Sequence, residues 1–377
     1  MPNDKNNNFI DGHRNEILDA AEPALGIVDT ANLKRFCMPF DAKEKEIRQF
    51  VVNFINVSIA DENLRNKMLE HFKTFDLKTW TSKEAPNEVG SVKGSVDRNG
   101  HVKKIDRWAY IGKRKWMGNV KTDLSVVRCI IHEIFHSVSA KHDIDKIKQH
   151  EQIVDRIKKE DEGKSQRRAL PSFERDSSVG EVESIFSEML FNHILKTRLD
   201  ELKVDGKPLF GLSDEEIQFR VEELESFDLR EFVGKSNSSL DKNSHKDNDY
   251  WFRYVRGYIL ATGIEKQYMA NPAETMKKLN VFLEEGNTMG PEEVAKLFYE
   301  GQLNVEHGQN LNYYQHAVKD FKETLTEKFS KYSIGPQVER MGVHVLREEI
   351  QQKHEFEQRQ KELQKNLDAQ EQERENS

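Results

Sequence analysis

The chain has 377 residues, 36% of them hydrophobic and 33% charged, with 58 basic side chains against 66 acidic ones and a net charge of −8. The apolar fraction is enough to bury a sizeable core, which excludes wholesale disorder, and the acidic balance argues against a general nucleic-acid binder, which needs a basic footprint. Two cysteines, Cys37 and Cys129, lie outside any CxxC pair; they make no disulfide framework and fit a reducing compartment.

The opening MPNDKNNNFIDGHRNE offers no apolar stretch for a signal peptide, and no later run reaches the roughly 18–20 apolar residues of a membrane span. The expectation is a soluble, cytoplasmic chain without a membrane partner, or one exported by a non-classical or specialised route. Residues 1–40 read as a loosely packed lead-in. From Asp41 onward, Ile47, Phe50, Val51, Phe54 and Ile55 recur at helical spacing, and Leu64, Met68 and Phe72 predict a second helix. Between Glu88 and Val120 the pattern switches. Val92, Val96 and Val102 alternate with polar residues around Asn99-Gly100, a hairpin dipeptide, and Trp108 and Tyr110 share one strand face before Gly112 breaks the run. These predict a small antiparallel sheet. Leu124 to Val138, LSVVRCIIHEIFHSV, is the most apolar helical stretch, with Asp123 in its prelude as a candidate N-cap. The charged residues 141–179 read as a solvated helix and loop inserted between core elements. Helical patterning resumes from Glu181 to Leu195 and, after a polar loop at 234–249, from Tyr250 to Met269, with shorter helices to about Phe329. Beyond Val345 the chain is nearly all Glu, Gln, Lys and Arg, an exposed helix that frays toward Ser377.

Within the apolar helix, His132-Glu133-Ile134-Phe135-His136 fits the pattern HExxH. Residues i and i+4 share one helical face, so both imidazoles can reach one zinc ion, and Glu133 stands next to the first of them as a general base and acid. A catalytic zinc takes a third protein ligand and keeps one position open. Two candidates compete. His142 stands ten residues after His132, the spacing of the metzincin signature HExxHxxGxxH, but Ser139 replaces the glycine of that pattern, and no Met-turn is identifiable. The other candidate is Glu181 in GEVESIFSEMLFNHIL, where Glu181, Ser184 and Glu188 fall on one helical face. Acidic residues on an otherwise apolar helix are costly to bury unless they meet a metal or a cation. Glu181 is the preferred ligand, Glu188 a carboxylate that orients one imidazole, and Glu183 is read as facing solvent.

HExxH followed by a helix of the form E-x-x-S-x-x-x-E-x-L resembles the thimet and oligoendopeptidase-F family of zinc peptidases. The stretches YVRGYILATG (Tyr254–Gly263) and VFLEEGNTMGPEEVAKLF (Val281–Phe298) are also similar to that family. The resemblance implies that Glu181 is the third zinc ligand. It also implies that a tyrosine donates to the oxyanion of the tetrahedral intermediate, Tyr258 being the best positional match and Tyr254 the next. By spacing alone, Tyr250, Tyr254 and Tyr258 are equally an aromatic stripe on a core. This chain departs from the family in having Phe135 where glycine is usual, a longer separation between His132 and Glu181, and His245 a few residues off the register of the family's histidine.

The expected fold is mainly α (α+β), a helical zincin-like catalytic domain with a small antiparallel sheet flanking the HExxH helix. Residues 1–85 would be an N-terminal helical segment packing on a catalytic domain at 86–335, and 336–377 a charged C-terminal helix or tail. The expected activity is peptide-bond hydrolysis on a peptide or protein substrate with one catalytic Zn2+ and no nucleic acid. The stretch Trp108–Gly118 is the candidate edge that would hold an extended substrate. Three rivals stay open: a metzincin-like protease using His142, a degenerate relative acting only as an interaction protein, and a secreted bacterial effector protease, since the EQERENS end resembles some export signals.

Overall fold

Phe40–Lys43 forms strand β1, and the two amphipathic patterns that follow it form helices α1 (Glu44–Ser58) and α2 (Glu62–Lys73). The computed structural model describes residues 38–81, 88–98, 101–115, 119–139, 143–162, 179–225, 228, 248–285, 289–300 and 313–331. Helix α1 buries Ile47, Phe50, Val51, Phe54 and Ile55, and α2 buries Leu64, Met68 and Phe72, the residues whose spacing announced the helices. Asp61 caps α2 by accepting from the Leu64 amide at 2.8 Å.

Strands β2 (Asp76–Trp80), β3 (Gly90–Val96), β4 (Val102–Arg114) and β5 (Asn119–Thr122) join β1 in one sheet of order β1-β5-β4-β2, with β3 also paired to β4. The architecture is α+β and mainly helical, as expected. The sheet, however, is mixed rather than wholly antiparallel, because β2 runs parallel to β4. The expected hairpin is present as an antiparallel β3–β4 pair with Val96 opposite Val102; its turn dipeptide, Asn99-Gly100, lies outside the described residues. Gly112 does not end its strand. It sits beside a register shift in the β2–β4 pairing with φ of 129°, in a position where a Cβ would collide with the Lys121 backbone, so this bulge requires glycine.

Helix α3 (Leu124–Ser137) lies on β3 and β4, starting at Asp123, whose side chain accepts from the Val126 amide at 3.0 Å. Ile105, Ala109 and Ile111 of β4 are buried. The charged insert yields α4 (Ile144–Glu160), which packs on β4; Glu151 accepts from the Val102 amide at 2.8 Å. Helix α5 (Val182–Thr197) covers the side of α3 away from the sheet, followed by α6 at 214–225. Behind α5 comes α7 (Asn248–Ala270), which in turn carries α8 (Pro272–Glu285) and α9 (Pro291–Tyr299), before α10 (Tyr313–Lys331). The core is therefore a stack of sheet, α3, α5 and α7. Phe135, Phe186 and Phe191 are fully buried in it, each worth roughly 1.5–3 kcal/mol of burial. No described helix is long and apolar enough to cross a membrane.

Candidate metal centre

The two middle layers of the stack, α3 and α5, supply the site. Helix α3 places His132 and His136 one turn apart on the face turned toward α5, their rings 4.8 Å apart and nearly perpendicular at 79°. Glu181 stands at the N-cap position of α5, where a carboxylate is favoured by the exposed helix amides. Its Oε2 lies 3.3 Å from His136 Nε2 and 3.9 Å from His132 Nε2, and Ser184 holds the same oxygen by donating from Oγ at 3.1 Å. One ligand atom from each of His132, His136 and Glu181 lies within 4.8 Å of the other two, and the three side chains are only partly exposed. Ligand atoms bound at about 2.0–2.2 Å around a tetrahedral ion stand near these separations. The cluster could bind one metal ion.

Each imidazole is held from behind. His132 Nδ1 donates to Glu188 Oε1 at 2.6 Å, and His136 Nδ1 faces Glu183 Oε1 at 3.4 Å. A carboxylate acceptor fixes the proton on Nδ1 and leaves the Nε2 lone pair for an ion. Glu183 thus overturns the sequence expectation: it is wholly buried rather than facing solvent. Its helix buries Val182, Ser184, Ile185, Phe186 and Ser187 together, so α5 has no solvent side over this turn. That near-continuous run of apolar and small residues was the available signal.

Glu133 is buried at 8% exposure, and its side chain packs against Gly90 at the start of β3. A Cβ at Gly90 would stand 2.5 Å from Glu133 Cγ, so this close approach demands glycine. A second glycine, Gly257 of α7, brings that helix against the first turn of α5, where a Cβ would stand 2.5 Å from Ile185 Cδ1 and 3.4 Å from Glu181 Cβ. Tyr258, its neighbour, is buried, whereas Tyr254, one turn earlier, is half-buried. His142 and His245 lie outside the described residues.

One buried cation was missed by the reading of the sequence. Arg128 lies one turn before His132 on α3 and is 5% exposed. Its Nη1 and Nη2 donate to the two carboxylate oxygens of Asp228 at 2.6 and 2.7 Å, and Nη2 lies 3.5 Å from Glu188 Oε2. Burial opposes the charge on the guanidinium, but the carboxylates of Asp228 and Glu188 outweigh it and hold the group well above its ordinary pKa.

No family model and no curated protein matches the chain. Among solved structures, the chain is similar to the crystal structure of a "putative peptidase" from Chlamydophila abortus, at 16% identity and a TM-score of 0.39. The match covers 87% of this chain and 56% of that one, so the chain spans little more than half the length of the protein it matches.

Proposed function

We propose that the chain is a zinc-dependent peptidase in which His132, His136 and Glu181 hold the ion and Glu133 moves the protons. The observation that carries this reading is the convergence of two imidazole nitrogens and a carboxylate from two helices, each imidazole backed by its own carboxylate. The donor set fits zinc: two imidazole nitrogens and one carboxylate oxygen, three of the four positions of a tetrahedral ion. When bound, zinc supplies Lewis acidity, which polarises a carbonyl and brings the pKa of a water to about 7.

The remaining steps belong to the chain's own residues. Glu133, fixed against Gly90, accepts a proton from the attacking water and delivers it to the leaving amine. A tyrosine of α7, Tyr258 or its neighbour Tyr254, donates to the oxyanion; a phenol stays neutral at pH 7 and stabilises developing charge without carrying any. Glu188 and Glu183 keep both rings in the ligand tautomer. For the substrate, β3 replaces the stretch Trp108–Gly118 as the candidate edge. That stretch lies largely on β4, which has partners on both sides at Trp108 and Ala109 and again at Lys113. Among the described residues β3 pairs with β4 alone, and it begins at Gly90 against Glu133, so an extended peptide added to its free edge would lie beside the base.

The test is zinc stoichiometry together with a peptide-library digest on wild type, Glu133→Gln and Glu181→Ala. Wild type is expected to bind one zinc and cleave, Glu133→Gln to keep zinc and lose cleavage, and Glu181→Ala to lose both. Absence of zinc from the wild type, or cleavage undiminished in Glu133→Gln, refutes the reading.

A further inference from the structure

The HExxH helix carries a fully buried charge that coordination chemistry does not require. Arg128 sits one turn before His132 with its guanidinium between two carboxylates of different origin. Asp228, a helical residue three positions past Glu225, takes the guanidinium in a fork, and Asn192 of α5 adds a hydrogen bond from Nδ2 to Asp228 Oδ2 at 3.2 Å. Glu188 of α5 shares the same guanidinium through Oε2 at 3.5 Å while its Oε1 accepts from His132 Nδ1 at 2.6 Å. The Tyr258 phenol is within electrostatic reach of the same group. Residues from α3, α5, α7 and the chain after α6 thus meet at one cation.

We propose that Arg128, clamped by Asp228, is a positioning residue for the metal centre. It holds one oxygen of Glu188, so the other stays on His132 and the imidazole keeps its Nε2 aimed at the point shared with His136 and Glu181. A carboxylate held only by one imidazole can rotate about its terminal bonds and take the ring with it. One gripped at both oxygens by two residues of the same helix, four positions apart, cannot. The fork to Asp228 is what keeps the guanidinium from following Glu188, and it is a task for arginine: a lysine ammonium has no planar pair of donors with which to hold one carboxylate squarely while touching another. The pair thus ties α3 to the helical residue Asp228.

This inference rests on the metal reading above, and one set of titrations separates the two. Zinc affinity is measured by chelator competition on the intact chain for wild type, Arg128→Gln, Glu188→Ala and the double variant, with circular dichroism to confirm folding. Arg128→Gln is expected to weaken zinc about 10-fold, the lower end for partners outside the ligand shell. It is expected to have no further effect once Glu188 is alanine, because its action passes through that carboxylate. A residue serving the fold alone would weaken zinc by the same factor in both backgrounds, and that result, or an unchanged affinity in Arg128→Gln, overturns the proposal. Failure of the wild type to bind zinc instead overturns the metal reading beneath it. Should Arg128→Gln not fold, Arg128→Met combined with Asp228→Leu removes both charges and leaves no unpaired buried ion. The same cycle with Glu188→Ala then decides between the two outcomes.

Discussion

Gly90 gives the sharpest test of Glu133, because it reaches that carboxylate without touching a metal ligand. In Gly90→Ala the new methyl would stand 2.5 Å from Glu133 Cγ and 3.1 Å from Cδ and Oε1. Ordinary carbon contacts are about 3.5–4.0 Å, so the side chain or the strand must move by about 1 Å. Gly90 has no positive φ, so alanine brings no backbone strain, and the collision is the whole perturbation. Overpacking of this kind costs about 1–3 kcal/mol of stability. A misplacement near 1 Å at a reacting group costs about 100-fold in rate, equivalent to about 2.7 kcal/mol of barrier. The expected outcome is a Gly90→Ala protein that folds, binds zinc as wild type does, and cleaves a quenched fluorescent peptide about 100-fold more slowly in kcat. Serine in its place should be at least as damaging. A Gly90→Ala enzyme with wild-type kcat would mean that Glu133 is not held by this contact, and the assignment of the base would lose its structural support.

Three further predictions concern α5 and the contact of α2 with α3. Glu181→Ala should weaken zinc at least 100-fold and remove most of the stabilisation that zinc gives the wild type, about 2.7 kcal/mol at 100 times Kd, read by calorimetry as a rise in melting temperature. Glu183→Gln, which keeps shape and an acceptor but removes charge from a wholly buried site, should weaken zinc about 10-fold by chelator competition; an unaltered affinity would leave Glu183 as filling only. His71, held near Ser137 Oγ at 3.3 Å, has its pKa lowered to about 4, first by burial and then by the charge of Arg107. Its unfolded form therefore takes up a proton as pH falls through about 6.5 while the folded form does not until about 4, so it destabilises the fold across that window and is silent above it. Discounted for partial exposure, the effect is about 1–2 kcal/mol. Urea titrations of His71→Gln should show a shallower loss of stability between pH 6.5 and 4 than wild type, and parallel curves would refute it.

The sequence announced its helices through spacing and the residues of its candidate metal site through chemistry, and both signals are strong for the same reason. Ile47 to Ile55 and Leu64 to Phe72 repeat at the helical period, and a histidine pair at i and i+4 has few uses on an apolar face. Asp123 as a cap and the antiparallel pairing of β3 with β4 are local chemistry and were legible too. What escaped was decided at long range. Phe40–Lys43 alternates buried and exposed side chains but over four residues only, and Asp76–Trp80 carries no clean alternation; they are strands because β5 and β4 supply their hydrogen bonds. Glu183 looked like a solvated acid because its charge outweighed the apolar and small residues around it, which fit a helix covered by α3 and α7 together. Arg128 was passed over inside an apolar run, although its place one turn before His132 puts it on the face that α5 buries. Its partner Asp228 is 100 residues away, beyond the reach of any periodicity.

The carboxylates behind the imidazoles have a consequence for the stretch of chain between them. Glu188 lies 56 residues beyond His132, and Glu183 lies 47 beyond His136, so these two contacts close long loops rather than neighbouring turns. Loop-closure entropy grows only with the logarithm of length, about 0.6 kcal/mol for each doubling. Each doubling of the chain length between these contacts would then add only about that much to the cost of holding them closed.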